Sequence, residues 1–381
     1  VLQMKIFFVG LQKVPYANRA CDIRLDSFAE LFVKCGCSVT VLNRYSAQKD
    51  IFDEIKRRRY EVVELIKHKR TSALSSILYL FSVVKEFFFL IGYRLKGDKN
   101  AVLHIYSGHY FDMLFYWFIA RLCDYRVIYQ YVEYRLDEKR KNPYHRVNAW
   151  LVDKCGAKLW DGVIPISHFL KDRALEQNPN LKWMMGPPIC DYAQFDRYRT
   201  KKKNLVLYCG SAGYFEVIKL VVDSFNTSRL SESNRLELII SGTKSQIQKV
   251  KDYAPSAIVK TGLPYIELIK AYNEAKVLLI PLRNSVKDIS RFPNKICEYA
   301  ASKSVIVTTQ YGEPAYFFKD KVSAILSDDC SVNSVAYSLN WIAEHEDQIE
   351  EIGKAGYEVG LQYFELNSYK EKIMDFLKSI Q

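Results

Sequence analysis

Short runs of β-branched and aromatic residues alternate along the whole chain with longer segments of helical periodicity. In the first half the runs fall at residues 5–10, 38–42, 101–106, 126–131 and 162–166, and in the second at 204–210, 236–241, 276–281, 304–309 and 322–326. Continuously apolar runs of this length, spaced by helix-length segments, predict parallel sheets wrapped by helices. The pattern therefore predicts an α/β protein with two doubly wound, Rossmann-like domains facing a cleft. Between 186 and 204 a glycine, two prolines and a lysine run stop both periodicities. The expected division is a first domain over 1–188, a linker over 189–203, a second domain over 204–365, and a last segment over 366–381 whose helix crosses back to the first domain. Two domains also suit a length of 381 residues. Open parallel sheets take ligands at the carboxyl ends of their strands, so the cleft is the expected site.

Charge separates the two halves. Residues 1–200 carry 32 Lys and Arg against 21 Asp and Glu, whereas 201–381 carry 23 against 22. The basic half is expected to meet something anionic, such as a phosphorylated ligand or acidic lipid head groups; a basic surface kept for solubility is the alternative. Nucleic acid is not an expected partner, because zinc-finger spacing, RNA-recognition signatures and basic heptads are all missing. The longest apolar stretch, 77–91, is too short to span a bilayer and is interrupted by Lys85 and Glu86. Two readings of its surroundings stay open. Leu78, Leu80, Phe81, Phe87 and Phe88 pack a core, or the basic, aromatic segment 67–96 lies in an anionic membrane interface. Nine cysteines without a Cys-x-x-Cys pair, and a start read at Met4 with no signal peptide, predict a reduced cytoplasmic protein, peripheral at the inner membrane face.

The chemistry must come from particular residues. The chain has no P-loop, no G-x-G-x-x-G, no H-E-x-x-H and no G-x-S-x-G, which argues against ATPases, common dehydrogenases, zincins and α/β hydrolases. It also has no Asp-x-Asp pair, so no metal is expected. The most informative stretch is 291–309, RFPNKICEYAASKSVIVTT. Pro293 suits the first turn of a helix carrying Asn294, Lys295 and Glu298, and the last two share a face. Such a helix end attracts phosphate while Glu298 accepts hydrogen bonds from hydroxyls, or the pair is an ordinary surface salt bridge. In the first domain His109 and Glu133 follow the third and fourth predicted strands, as catalytic or acceptor contacts or as structural groups. Arg19 and Arg24, after the first strand, bind acceptor phosphate or form a polar helix face. A Glu133–Arg135 ion pair is the competing reading of Glu133.

The run Phe292, Pro293, Asn294, Lys295, Glu298, Tyr299 and Ala300 resembles a signature segment of the GT-B glycosyltransferases, specifically those similar to glycosyltransferase family 4 (group 1). The resemblance extends through VLYCGSAGYFEVIKLVVDSF, IISG and TGLPYIELIKAYNEAKVLLIPL, covers about residues 200–330, and is diffuse in the first domain. It implies that the second sheet holds a nucleotide sugar, with Glu298 on the ribose hydroxyls, Gly262 and Leu263 beside the base, Gly210 and Ser211 near the diphosphate, and Gly242 of IISG among the donor-binding residues. Four departures stand out. A glutamate eight positions before Glu298 is replaced by Ser290. An arginine and a lysine near the diphosphate are replaced by Ser211 and Glu216. The glycine-rich loop after the first strand reads LQKVPYANRACDIR, and a histidine of the first domain is replaced by Val132, followed by Glu133. Lys295, Arg291 and Arg283 are then the expected cations for the leaving diphosphate, Lys295 first.

The expected function is a glycosyltransferase that moves a sugar from a nucleotide-diphosphate sugar to a glycan or lipid-linked acceptor in cell-surface polysaccharide synthesis. It would be retaining and metal-independent, with no cofactor besides the donor. A sugar-nucleotide epimerase, or a non-catalytic partner of a membrane glycan assembly complex, are the alternatives, the latter because of Ser211, Glu216 and Ser290.

Overall fold

The computed structural model describes residues 4–11, 20–44, 59–66, 75–97, 100–136 and 142–381, which form two compact units, 1–186 with 369–381, and 187–368. In the first unit the strands are β1 (Lys5–Leu11), β2 (Ser38–Asn43), β3 (Glu61–Glu64), β4 (Ala101–Ile105), β5 (Arg126–Tyr131), β6 (Gly162–Pro165) and β7 (Lys182–Trp183). Their order is β3-β2-β1-β4-β5-β6-β7, every pair parallel. The central strands are buried along almost their whole length, as continuous apolar runs require when helices cover both faces. Helix Lys370–Ser379 packs on this unit. Phe376 and Ile380 lie so close to Gly162 that a Cβ there would meet the Phe376 ring at 2.7 Å, and Arg126 donates to the carbonyl of Ile380 at 2.9 Å.

In the second unit β8 (Lys203–Ser211), β9 (Arg235–Ser241), β10 (Ile258–Lys260), β11 (Ala275–Leu279), β12 (Val305–Thr309) and β13 (Ile325–Ser327) run in the order β10-β9-β8-β11-β12-β13, again all parallel. Its core gathers Val206, Leu238, Val277 and Val307 from the sheet with Ile218, Val221 and Leu339 from the helices. The two sheets match the two doubly wound domains that the alternation predicts. Residues 189–203 differ from the expected linker: they belong to the second unit. Asp191 caps helix Tyr192–Arg197, Phe195 is buried, and Arg199 donates to Asn273 at 3.1 Å and to the carbonyl of Ala301. Prolines and a lysine run end a periodicity without preventing such local docking.

Helix Ile349–Tyr363 approaches the site region closely because its contact positions are glycines. A Cβ on Gly353 would stand 2.5 Å from the carbonyl oxygen of Lys303, and one on Gly356 2.7 Å from that of Ser323. That contact fixes the segment between helix Lys295–Ala301 and β12.

Candidate functional site

In the second unit the strand order turns back between β8 and β11, so ligand binding is expected at the carboxyl ends of these strands and their neighbours. The turns there are tight. The amide of Ala212 donates to the carbonyl of Ser241 at 2.7 Å, joining the ends of β8 and β9. A Cβ on Gly210 would strike the Tyr208 side chain, and one on Gly242 would sit 2.9 Å from Ala212 Cβ. These two glycines let the turns close on each other. Ser211 accepts from the amide of Gly213 and so shapes the same turn. Gly262 has φ +67° and open space around it, a backbone that favours glycine; it leads through Leu263 into helix Tyr265–Glu274.

That loop delivers Tyr265, whose hydroxyl donates to Glu298 Oε1 at 3.0 Å. Glu298 is only 4% exposed. Burial pushes its carboxyl from 4.5 up to about 7, against the lowering effects of the Tyr265 hydrogen bond and the Lys295 charge. Lys295 is half-buried, forms no ion pair among the described residues, and its charge also lowers the Cys209 thiol, which burial raises overall. Tyr299, the next residue along the helix, accepts from the amide of Cys209 and packs edge-on against Tyr272, which pins Glu298 beside the end of β8. The helix is seven residues long, two turns, so its backbone dipole is small and formal charge comes from Lys295. Asn294 occupies its N-cap position with a helical backbone and no side-chain cap bond.

Arg283 and Arg291 depart from the expectation of cations free for a diphosphate. Both bind Asp288, which is 2% exposed: Arg283 Nε donates to Oδ2 at 2.8 Å and Arg291 Nη2 to Oδ1. Burial would raise the Asp288 carboxyl, but the hydrogen bond from Arg283 and the charge of Arg291 outweigh it and hold it below its ordinary value. Two cations and one anion leave this cluster a single net positive charge. Arg291 also donates to the Tyr214 hydroxyl at 3.2 Å, and its guanidinium and Lys287 lie over the Tyr214 ring. Ser290 is buried and its hydroxyl donates to the carbonyl of Lys287. Sequence reasoning passed over Asp288, Tyr214 and Tyr265; only the proximity of Asp288 to two arginines in sequence offered a signal.

In the first unit, His109 stands exposed at the N-cap position of helix Tyr110–Cys123, after β4. Its loop is held by Asn148, which accepts from the amide of Tyr110 and donates to the carbonyl of Gly108. Glu133, half exposed, pairs with Arg135 at 3.3 Å, so the ion-pair reading describes its resting contact. Arg24 is not available to an acceptor. It is 5% exposed, donates to the carbonyl of Gly186 and lies 4.9 Å from the Phe28 ring centre, a packing role. Arg19 lies outside the described residues. The described residues contain no cluster of His, Cys, Asp and Glu suited to a metal.

Residues 193–359 match the family model described as Glycosyl transferases group 1. No curated protein matches the chain. Among solved structures it is similar to HepE of Anabaena in complex with UDP and glucose, with TM-score 0.74 at 11% identity over 99% of this chain and 100% of that one. It is similar also to sucrose-phosphate synthase of Thermosynechococcus elongatus, with TM-score 0.74 at 13% identity over 99% of each. The pneumococcal O-GlcNAc transferase GtfA, in complex with UDP and GlcNAc, gives 0.70 at 11% identity over 100% of this chain and 99% of that one. Likeness at these identities establishes the fold, two Rossmann-like domains of the GT-B kind.

Proposed function

We propose that this chain is a group 1 glycosyltransferase that transfers a sugar from a nucleoside diphosphate donor to a lipid-carried glycan in cell-surface polysaccharide synthesis, a reading supported by the match of residues 193–359 and by the GT-B fold. The transfer is retaining and needs no divalent metal. The observation that carries the donor reading is the pairing of buried Glu298 with Tyr265 beside Lys295, which forms no ion pair among the described residues. A carboxylate so placed accepts from the two ribose hydroxyls, with Tyr265 holding the acceptor oxygen in position. Lys295 stabilises negative charge as it develops on the departing diphosphate, a role that fixed, already oriented charge performs without reorganisation. Gly210, Ser211 and Gly242 form the turn beside that charge, with Arg283 and Arg291 contributing the one net charge of their cluster. His109 and Glu133 are the acceptor contacts, and no protein nucleophile is assigned.

UDP, present in the HepE and GtfA complexes, is the first nucleotide to test. The full chain titrated with UDP in the presence of a chelator should bind it, and Glu298→Ala should weaken binding by about 10- to 100-fold, since hydrogen bonds to a charged acceptor contribute about 1.5–3 kcal/mol. The 2′,3′-dideoxy nucleotide should lose little from the same substitution. Binding that requires manganese or magnesium, or equal losses for both nucleotides, would overturn the reading. UDP release from a UDP-sugar that depends on added acceptor separates transfer from epimerisation.

A further inference from the structure

Three helices of the first unit, Ser75–Leu95, Tyr110–Cys123 and Pro143–Cys155, connect β3 to β4, β4 to β5 and β5 to β6. All three connections step in the same direction across the sheet order, so right-handed crossovers put the helices on one face of it. They pack as neighbours: the rings of Phe87 and Phe115 approach to 6.5 Å, and Asn148 bonds the start of the middle helix. Their outward sides are apolar. On the first helix Ile77, Leu80, Phe81, Val84 and Phe88 are exposed at helical spacing, Ile77 by 69% and Phe88 by 66%. The core-packing expectation for Leu80, Phe81 and Phe88 is thus corrected, because the sheet-facing stripe of this helix is supplied instead by Ser82, Glu86 and Leu90. On the second helix Phe111, Leu114, Phe118 and Leu122 repeat the spacing, and on the third Val147 and Trp150 do. Soluble proteins rarely leave three adjacent helices with such faces uncovered.

The charges on these helices are sorted by side. Each helix has one acid, Glu86, Asp112 and Asp153, and each is turned inward: Glu86 and Asp112 are held by Arg44, and Asp153 by the amides of Arg135 and Leu136 and the Tyr131 hydroxyl. The exposed charged residues within the three helices are Lys85, Arg121, Arg146 and Lys154, all cations, of which Arg121 is paired with Asp161 at 2.9 Å. Lys85 lies over the exposed Phe81 ring and Arg121 over Trp117. Long basic side chains above apolar surface, with no exposed acid within the three helices and the exposed Asp124 at the end of the middle one paired with Arg126, match an interface of acyl chains beneath anionic head groups. No helix among the described residues is long and apolar enough to cross a membrane, so the match is to a surface.

We propose that this three-helix face docks on an anionic lipid bilayer, with the aromatic and aliphatic rows entering the head-group region and Lys85, Arg146 and Lys154 meeting lipid phosphates. It rests on the proposed lipid-carried acceptor only for its purpose, which is to bring enzyme and acceptor to one surface. Its test is independent of transfer. The full chain should co-float with phosphatidylglycerol vesicles at low salt, more weakly at high salt, and little with phosphatidylcholine vesicles. Phe88→Glu with Phe118→Glu should lower partition into phosphatidylglycerol vesicles by about a hundredfold while leaving UDP binding and thermal unfolding unchanged. Lys85→Gln with Arg146→Gln and Lys154→Gln, which leaves the apolar rows intact, should abolish the preference for phosphatidylglycerol. Failure to bind phosphatidylglycerol at low salt would overturn the proposal, as would undiminished binding by both variants. A concentration-dependent dimer in lipid-free solution, abolished by the same phenylalanine changes, would instead assign the face to a second copy of the chain. A chain that floats with vesicles yet transfers no sugar upholds the docking and removes the transfer; transfer without flotation does the reverse.

Discussion

Glu298 is the residue whose behaviour tests the site most directly, because its proton is coupled to both folding and ligand. Burial raises its carboxyl from 4.5 to about 7. Between these values the folded protein holds a proton that the unfolded chain has lost, so stability falls as pH rises; the contribution is whole below 4.5 and lost above about 7. Two and a half pKa units at 1.36 kcal/mol each give about 3 kcal/mol. Glu298→Gln removes the ionisation and keeps an oxygen to accept from Tyr265. The variant should gain about 3 kcal/mol on the wild type between pH 5 and pH 8, or about 6–12 °C in the melting temperature of a unit of this size. Urea and thermal unfolding at a series of pH values are the assays. Parallel stability curves for the two proteins would refute the assignment of a protonated, buried Glu298.

The same proton should report the nucleotide. Ribose hydroxyls donate to the ionised carboxylate and so lower its pKa on binding. UDP affinity should therefore rise with pH by up to about tenfold per unit below 7, with about one proton released at pH 6. Calorimetric titrations in two buffers of different ionisation enthalpy count that proton. The dideoxy nucleotide should release none, and equal release by both would place Glu298 away from the ribose.

Two further perturbations probe each unit. Lys295→Ala should lower kcat with little change in KM if its charge acts on the leaving diphosphate, whereas a rise in KM alone would make it a ground-state binding residue. Arg44 is 1% exposed and bonds Glu86, Tyr79, Tyr116 and Asp112, so Arg44→Ala should destabilise the first unit by about 3–5 kcal/mol in denaturant titrations.

The strands were legible where apolar runs are long and buried, and each of the ten predicted runs overlaps one. The three that escaped, β3, β7 and β10, have four, two and three residues, and their side chains are half-buried or exposed, so neither a continuous nor an alternating pattern can form. The candidate site divides in the same physical way. Helical spacing places Lys295 and Glu298 on one face, and the resemblance of the segment to the family signature is what marks them as site residues. Tyr265 is 33 residues from Glu298 and Tyr214 is 77 from Arg291, and only the fold brings them into contact. For Arg283 and Arg291 the sequence shows two cations but not that both converge on a buried Asp288 between them.

Net charge misses direction for the same reason, and the first unit shows the consequence. Its three outer helices hold five Lys and Arg against three Asp and Glu, an unremarkable balance. The fold converts it to a one-sided surface by turning each acid toward a specific internal donor. Arg44, at the end of β2, bonds Glu86 and Asp112 from two helices at once. A cation spent inside the unit is thus what leaves cations and apolar side chains on the outside, and the buried network and the exposed face are two sides of one arrangement. Removing Arg44 should then weaken vesicle binding even in protein that remains folded, because an acid released from the interior would emerge on the face that meets lipid.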